Sequence, residues 1–436
     1  MILSTKRNFI SILSVFILFV TCLSFSNAFA FQELQNDFKQ YKGKIVEKNS
    51  NKEMVFATIS LEGTNISTVS NTEGEFLLKV PLSIKEGIVS FSFLGHTTKK
   101  IPLNELDKKN NKIELEISIT KLAEVNINAP KDAEALIREV LSKRGENYFN
   151  DPTLMTAFYR ETIKKRRRNV SLSEAVVNIH KSSYASSKKD AVQLYKARKS
   201  TDYSKLDTVA LKLQGGPFNT LYIDIMKYPE YIFKEGSVDQ YSFSFDRSTL
   251  INDRQIYVID FKQLKSIREP LYEGKLYIDV ENKTLTSAVY KLNITNRGLA
   301  SRLFVRKKPA KVDVWPTEVA YRVDYRNKNG KWYYGYSNVL LEFKVDWDDK
   351  LFNSVYSMTA EMAITDWKKN DEGINLKAKE KIKKSIILSD EAIGFSDPDF
   401  WGEYNIIEPE KSIESAIRKI QRQLKRGKNI QGAAAR

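Results

Sequence analysis

The chain has 436 residues, with 70 lysines and arginines against 54 aspartates and glutamates and a formal net charge of +16. One cysteine and two histidines exclude a disulfide framework and leave too few ligands for a cysteine- or histidine-rich zinc site. Such a length is ample for two or three domains with their own cores.

In chain order, Lys6 and Arg7 precede an apolar run from Phe9 to Val20, and Ala28-Phe29-Ala30 follows as a small-residue cleavage pattern. Residues 1–30 are therefore expected to be a secretory signal peptide, which places the protein in the periplasm or at the outer membrane. Two alternatives stand beside cleavage after Ala30: an uncleaved anchor helix, or lipid modification of Cys22. Loss of Lys6 and Arg7 takes the charge from +16 to +14. This balance favours anionic lipid headgroups, lipopolysaccharide or acidic glycans as partners and, for an exported chain, disfavours nucleic acid.

From Gly43 to Ile119 short alternating runs recur between turn signals, the pattern of a small antiparallel sandwich. Ala57, Ile59 and Leu61 share one strand face; Phe76, Leu78 and Val80 share another; Val89, Phe91 and Phe93 repeat the period. In "IELEISI", Ile113, Leu115, Ile117 and Ile119 are expected inward. Gly74 is expected to supply a positive φ to the turn that starts at Asn71. The stretches "GKIVE", "ATISLEGTNISTVSNTEGEFLLKVP" and "VSFSFLGHTTKKI" resemble the carboxypeptidase regulatory-like domain of Bacteroidetes-type envelope proteins. Gly63-Thr64, Gly74-Glu75-Phe76 and Phe93-Leu94-Gly95-His96 carry the likeness, with His96 where the family has tyrosine. The resemblance implies a transthyretin-like sandwich over residues 38–122 that serves as an accessory module without peptidase activity.

Residues 123–152 are expected to be a linker holding a short amphipathic helix from Asp132 to Arg144, with Ala133, Leu136, Ile137, Val140 and Leu141 on one side. Residues 153–408 are rich in strand and hairpin candidates such as "TAFYRETI", "RQIYVIDFK" and "PTEVAYRVDYRNKNGKWYYGYSNVLLEFKVDW". The segment "YEGKLYIDVENKTLTSAVY" resembles paired strands of the open-barrel lipoprotein-carrier folds of the periplasm. The region as a whole resembles the uncharacterised second part that follows the regulatory domain in some envelope proteins. The expected fold is thus mainly β, an N-terminal sandwich followed by a large curved antiparallel sheet or half-barrel with a few helices. An amphipathic helix over 409–428 and a disordered tail over 429–436 close the chain.

Chemistry is sparse. Neither His96 nor His180 begins a zinc-peptidase spacing, and no G-x-S-x-G or G-x-x-x-x-G-K-[ST] signature occurs. No metal and no cofactor is expected. The carboxylates of "KVDWDDK" (Asp346, Asp348, Asp349) and "SDPDFWGE" (Asp397, Asp399, Glu403) are read as a solvated turn and as a loop packing Phe400 and Trp401. Two stretches are candidate binding sites. Lys164, Lys165, Arg166, Arg167 and Arg168 would place five consecutive cations at a hairpin tip, a pattern suited to phosphates or acidic sugars. Phe218, Tyr222 and Tyr228 would line an apolar groove if their segment forms a flap over the sheet. The expected function is a non-catalytic exported envelope protein that binds or scaffolds a lipid, glycan or protein, compatible with peripheral membrane contact. The alternative is a carboxylate-based hydrolase of envelope polymers.

Overall fold

The computed structural model describes residues 37–118, 132–166, 168–201, 213–233, 237–251, 254–305, 308–394 and 400–410. The expected signal peptide, the tail, Arg167, Asp397 and Asp399, and all but the first two residues of the expected C-terminal helix lie outside them.

Seven short strands form the first unit: β1 (Phe38–Glu47), β2 (Thr58–Leu61), β3 (Ser67–Val69), β4 (Glu75–Pro81), β5 (Ile88–Ser92), β6 (Lys99–Pro102) and β7 (Asn111–Leu115). They make a three-stranded sheet, β4-β1-β7, and a four-stranded sheet, β3-β2-β5-β6. Ile45, Phe76, Leu78 and Ile113 from the first meet Ile59, Leu61, Val89 and Phe91 from the second in one core, so the period-two faces read from sequence are the buried faces. The expectation of an all-antiparallel sandwich fails at one pair. β7 runs parallel to β1, because the intervening strands serve as the crossover a parallel pair requires. β7 also stops at Leu115, which leaves Ile117 about half exposed where an inward position was expected. Asn71 builds the turn before β4: its Oδ1 accepts from the amides of Glu73 and Glu75, both at 2.9 Å. Gly74 has φ 74°, and a Cβ there would lie 2.6 Å from the Ile45 carbonyl oxygen, so glycine is required on both counts.

A helix at Ala133–Ser142 follows, capped by Asp132, whose carboxylate accepts from the amides of Glu134 and Ala135. It buries Ala133, Leu136, Ile137 and Val140.

The remaining strands are β8 (Thr153–Lys165), β9 (Arg168–Lys181), β10 (Ala191–Thr201), β11 (Tyr241–Ile251), β12 (Arg254–Gln263), β13 (Tyr272–Asp279), β14 (Thr284–Leu292), β15 (Val312–Lys328), β16 (Lys331–Trp347), β17 (Ser354–Lys369) and β18 (Ile393–Gly394). They form one sheet in the order β11-β12-β13-β14-β15-β16-β17-β8-β9-β10-β18, antiparallel throughout except for the short β10–β18 contact. β11 and β18 are its two ends, so the sheet is open. One face carries Met155, Ala157, Tyr159, Val177 and Ile179 and is covered by the Ala133–Ser142 helix and by residues 213–233. Further along this face Ile163, Met358 and Phe343 pack with Leu213 and Phe304.

The opposite face receives the sandwich. Val69 and Leu77 pack against Phe158, Val176, Tyr336 and Ala363, with Trp401, Ile406 and Ile407 of a strap over residues 400–410 completing the cluster. Polar bonds fix the contact. The Ser67 hydroxyl donates to the Ile364 carbonyl at 3.1 Å, the Thr68 hydroxyl to Ile406 at 2.9 Å, and the Asn71 amide to Glu408 at 3.1 Å. Asn405 acts as a one-residue strand partner for the free edge of β4, accepting from the Lys79 amide at 2.7 Å and donating to the Lys79 carbonyl at 2.9 Å.

Candidate functional site

The cationic run closes the β8–β9 hairpin, with Lys164 opposite Asn169 and Lys165 opposite Arg168. Arg166 takes a positive φ of 55° at the tip, and its amide donates to the Val355 carbonyl at 2.8 Å, which fixes this tip beside the start of β17. The five cations are not equivalent. Lys164 lies 3.3 Å from Glu410 of the strap and is partly buried. Burial alone would raise the Glu410 carboxyl, but the Thr72 hydroxyl and the Lys164 ammonium outweigh it and hold the group below the ordinary carboxylate range. The Lys165 ammonium lies 5.8 Å from the Tyr356 ring centre. Arg166 and Arg168 are exposed. Lys164 thus belongs to the contact between sandwich, strap and sheet rather than to a solvent-facing rim.

The neighbouring β16–β17 tip, residues 348–353, ends in two bare apolar side chains, Leu351 at 94% and Phe352 at 77% exposure. The base of this loop is ordered by bonds from the Asp348 amide to the Lys311 carbonyl at 3.2 Å and from the Lys350 amide to the Trp347 carbonyl at 3.0 Å. The Lys350 ammonium sits 4.7 Å from the Trp347 ring centre. Asp346 lies opposite Asp313 in register, and Asp348 and Asp349 are exposed. Among the described residues no group of histidines, cysteines, aspartates and glutamates could hold a metal ion.

The aromatic segment from Phe218 onward is core, which corrects the groove expectation. Phe218 and Tyr228 are buried against the sheet and offer no surface to a ligand, while Tyr222 is half-buried and stacks on Tyr231 at 4.9 Å. A buried carboxylate pins the segment. Asp224 accepts from the Tyr184 and Tyr325 hydroxyls, each at 3.0 Å, and lies 2.7 Å from the Lys181 ammonium. The same ammonium meets Asp190 at 2.9 Å and the face of Tyr184 at 4.9 Å. Burial alone would lower the Lys181 pKa, but the charges of Asp190 and Asp224 outweigh it and raise it.

A second buried network lies on the sandwich side. Glu174 accepts from Arg160 at 2.8 Å and from Arg198 at 2.9 Å, while Arg160 also reaches Glu361 at 3.2 Å and the Ile407 carbonyl at 2.6 Å. Arg198 lies 4.8 Å from the ring centre of Trp401, so Trp401 packs as the sequence led us to expect. Glu161 points to the opposite face, where burial lifts its carboxyl to about 7 against the lowering effect of the Tyr159 hydroxyl 2.9 Å away. Of the histidines, His96 contacts Glu47 at 3.3 Å and His180 lies 3.3 Å from the Ile374 carbonyl oxygen.

Sequence reasoning missed both networks and the Leu351–Phe352 tip. Signals existed: a carboxylate inside the apolar run "LYIDIM", paired charges inside "FYRETI", and an apolar pair after "WDDK".

Residues 41–127 match the CarboxypepD_reg-like domain family, and the first unit is such a domain. No curated protein matches the chain. Among solved structures, an outer-membrane lipoprotein-sorting protein domain from Vibrio parahaemolyticus is similar at 10% identity and TM-score 0.24, over 57% of this chain and 94% of that one. A LolA superfamily protein from Nitrosomonas europaea is similar at 10% identity and TM-score 0.20, over 57% and 98%. Lipovitellin is similar at 8% identity and TM-score 0.25, over 54% and 27%. Similarity at these TM-scores carries no argument about this chain's ligand.

Proposed function

We propose that the protein is a non-catalytic, exported envelope protein that binds an anionic envelope component with the end of the large sheet bearing the β8–β9 tip. The carrying observation is the pair of exposed guanidinium groups, Arg166 and Arg168, on a hairpin whose tip is fixed to β17 by the 2.8 Å bond to Val355. Planar donors on a stiff support suit phosphate and carboxylate groups, and a mature charge of +14 adds long-range attraction. The rival hydrolase reading needs two carboxylates facing one cleft. Here Asp190 and Asp224 flank Lys181, Glu174 lies between Arg160 and Arg198, and Glu161 faces Tyr159.

The test leaves Lys164 in place, since it holds Glu410. Replacing Arg166, Arg167 and Arg168 with serine should leave the circular dichroism spectrum and melting temperature unchanged and abolish retention on immobilised lipopolysaccharide. Wild-type retention should weaken with added salt, since exposed charges are screened over about 8 Å at physiological ionic strength. Equal retention of both proteins at low and physiological salt would refute the assignment.

A further inference from the structure

We infer that the β16–β17 tip is a membrane-insertion element, in which Leu351 and Phe352 enter the bilayer interface while Arg166 and Arg168 meet anionic headgroups. The inference rests on the reading that this end of the sheet binds an anionic component, and it names that component as a lipid surface.

Single exposed apolar side chains are ordinary on protein surfaces. Two adjacent ones, at 94% and 77% exposure, at the summit of a hairpin whose strands span 17 and 16 residues, are a different case. The strands are rigidly placed, since β16 pairs with β15 and β17 along most of its length. The loop base is tied down by the Asp348–Lys311 and Lys350–Trp347 backbone bonds, so the pair is held out in water by a fixed support. Just below it Trp347 is half-buried and packs against the cluster that contains Val312 and Val345, which anchors the base of the loop.

Charge decides the kind of lipid. The loop itself carries Asp348 and Asp349 with Lys350, and Asp346 precedes them, so alone it would be repelled by an anionic surface. The adjoining β8–β9 tip offsets this, because the Arg166 amide bonds to the carbonyl of Val355, three residues along the chain from Phe352, and so sets Arg166 and Arg168 beside the loop. Apolar wedge and cationic flank come from two hairpins that only strand pairing brings together, so neither suffices alone. A bilayer suits the pair better than a protein partner, since a stable protein interface buries roughly 1,200 Å² or more, well beyond two side chains. Binding at a lipid surface instead sums the apolar area inserted and the attraction to anionic headgroups, so two apolar side chains beside two arginines contribute together.

The full mature chain would be tested by co-sedimentation with vesicles of equal parts phosphatidylethanolamine and phosphatidylglycerol, with phosphatidylcholine vesicles and soluble dextran sulfate as comparisons. Wild type should bind the anionic vesicles and dextran sulfate. Leu351→Ser/Phe352→Ser should lose at least about tenfold in vesicle partitioning, as expected for withdrawing large apolar side chains from lipid, while binding dextran sulfate as wild type does. Arg166→Ser/Arg168→Ser should lose both. Phe352→Trp, read as the difference from wild type with its five native tryptophans, should add emission that shifts to the blue on anionic vesicles. Equal vesicle binding by wild type and the Leu351/Phe352 variant, or no emission shift, would overturn insertion while leaving the anion-binding reading intact. Binding to dextran sulfate without vesicle binding would overturn it too and point to a soluble polyanion or a protein. Failure of wild type to bind either probe would overturn both readings.

Discussion

Lys181→Met removes the only cation that touches both Asp190 and Asp224 in the described structure. The ammonium is 1% exposed and lies 2.9 Å and 2.7 Å from carboxylates that are wholly buried. Methionine fills a similar volume, so packing changes little and the effect is electrostatic. Lys227 cannot move in to compensate, since the Ser183 and Ser186 carbonyls hold its ammonium at 2.6 and 2.7 Å. Breaking a buried pair by deleting one partner costs about 3–5 kcal/mol, and here two carboxylates lose one cation, so the upper half of that range is expected at pH 7. Urea unfolding followed by tryptophan fluorescence measures it. Lys181→Met/Asp224→Asn should be more stable than the single variant at pH 7 by about 1–2 kcal/mol, having removed one of the two stranded charges. A single variant within about 1 kcal/mol of wild type, or a double variant less stable than the single, would refute the view that this ionic hub pins residues 213–233 to the sheet.

Glu161 supplies a pH test. Its folded-state pKa of about 7 lies above the unfolded value of 4.5, so the folded state holds an extra proton between them and stability should fall as pH rises through that window, by about 3 kcal/mol in all. Glu161→Gln should abolish that slope, and thermal melts of both proteins from pH 5 to 8 that stay parallel would contradict the assignment. Asn405→Ala strands the amide and carbonyl of Lys79 at the edge of β4; a loss of about 1–3 kcal/mol and faster proteolysis of the strap should follow, and an unchanged digestion rate would show that the strap does not need this bond. Gly74→Ala forces a Cβ to within 2.6 Å of the Ile45 carbonyl oxygen at a positive φ, so melting should show destabilisation of about 1–3 kcal/mol; a neutral result would mean that the turn relaxes.

Local order was legible in the sequence wherever its cause is local. Period-two alternation in "ATISL" and "EFLLKVP" identified the buried face of each sandwich strand, because a pleated strand sends neighbouring side chains to opposite sides whatever its partners are. Asp132 marked a helix start and Gly74 a turn for equally local reasons, a side-chain acceptor for free amides and a backbone conformation that rejects a Cβ. Tertiary structure decided what pairing at long range assembles. β8 lies beside β17, some two hundred residues later in the chain, and only that contact brings Arg166 to Val355 and sets the cationic tip beside Leu351 and Phe352. The β9–β10 hairpin sets Lys181 beside Asp190, but Asp224 joins them only because residues 213–233 fold back over β9, and no spacing in the sequence encodes that third member. Composition likewise could not tell whether Phe218 and Tyr228 faced a ligand or a core. Apolar side chains leave water in either case, and only the sheet beneath them determines that here the chain itself is what covers them.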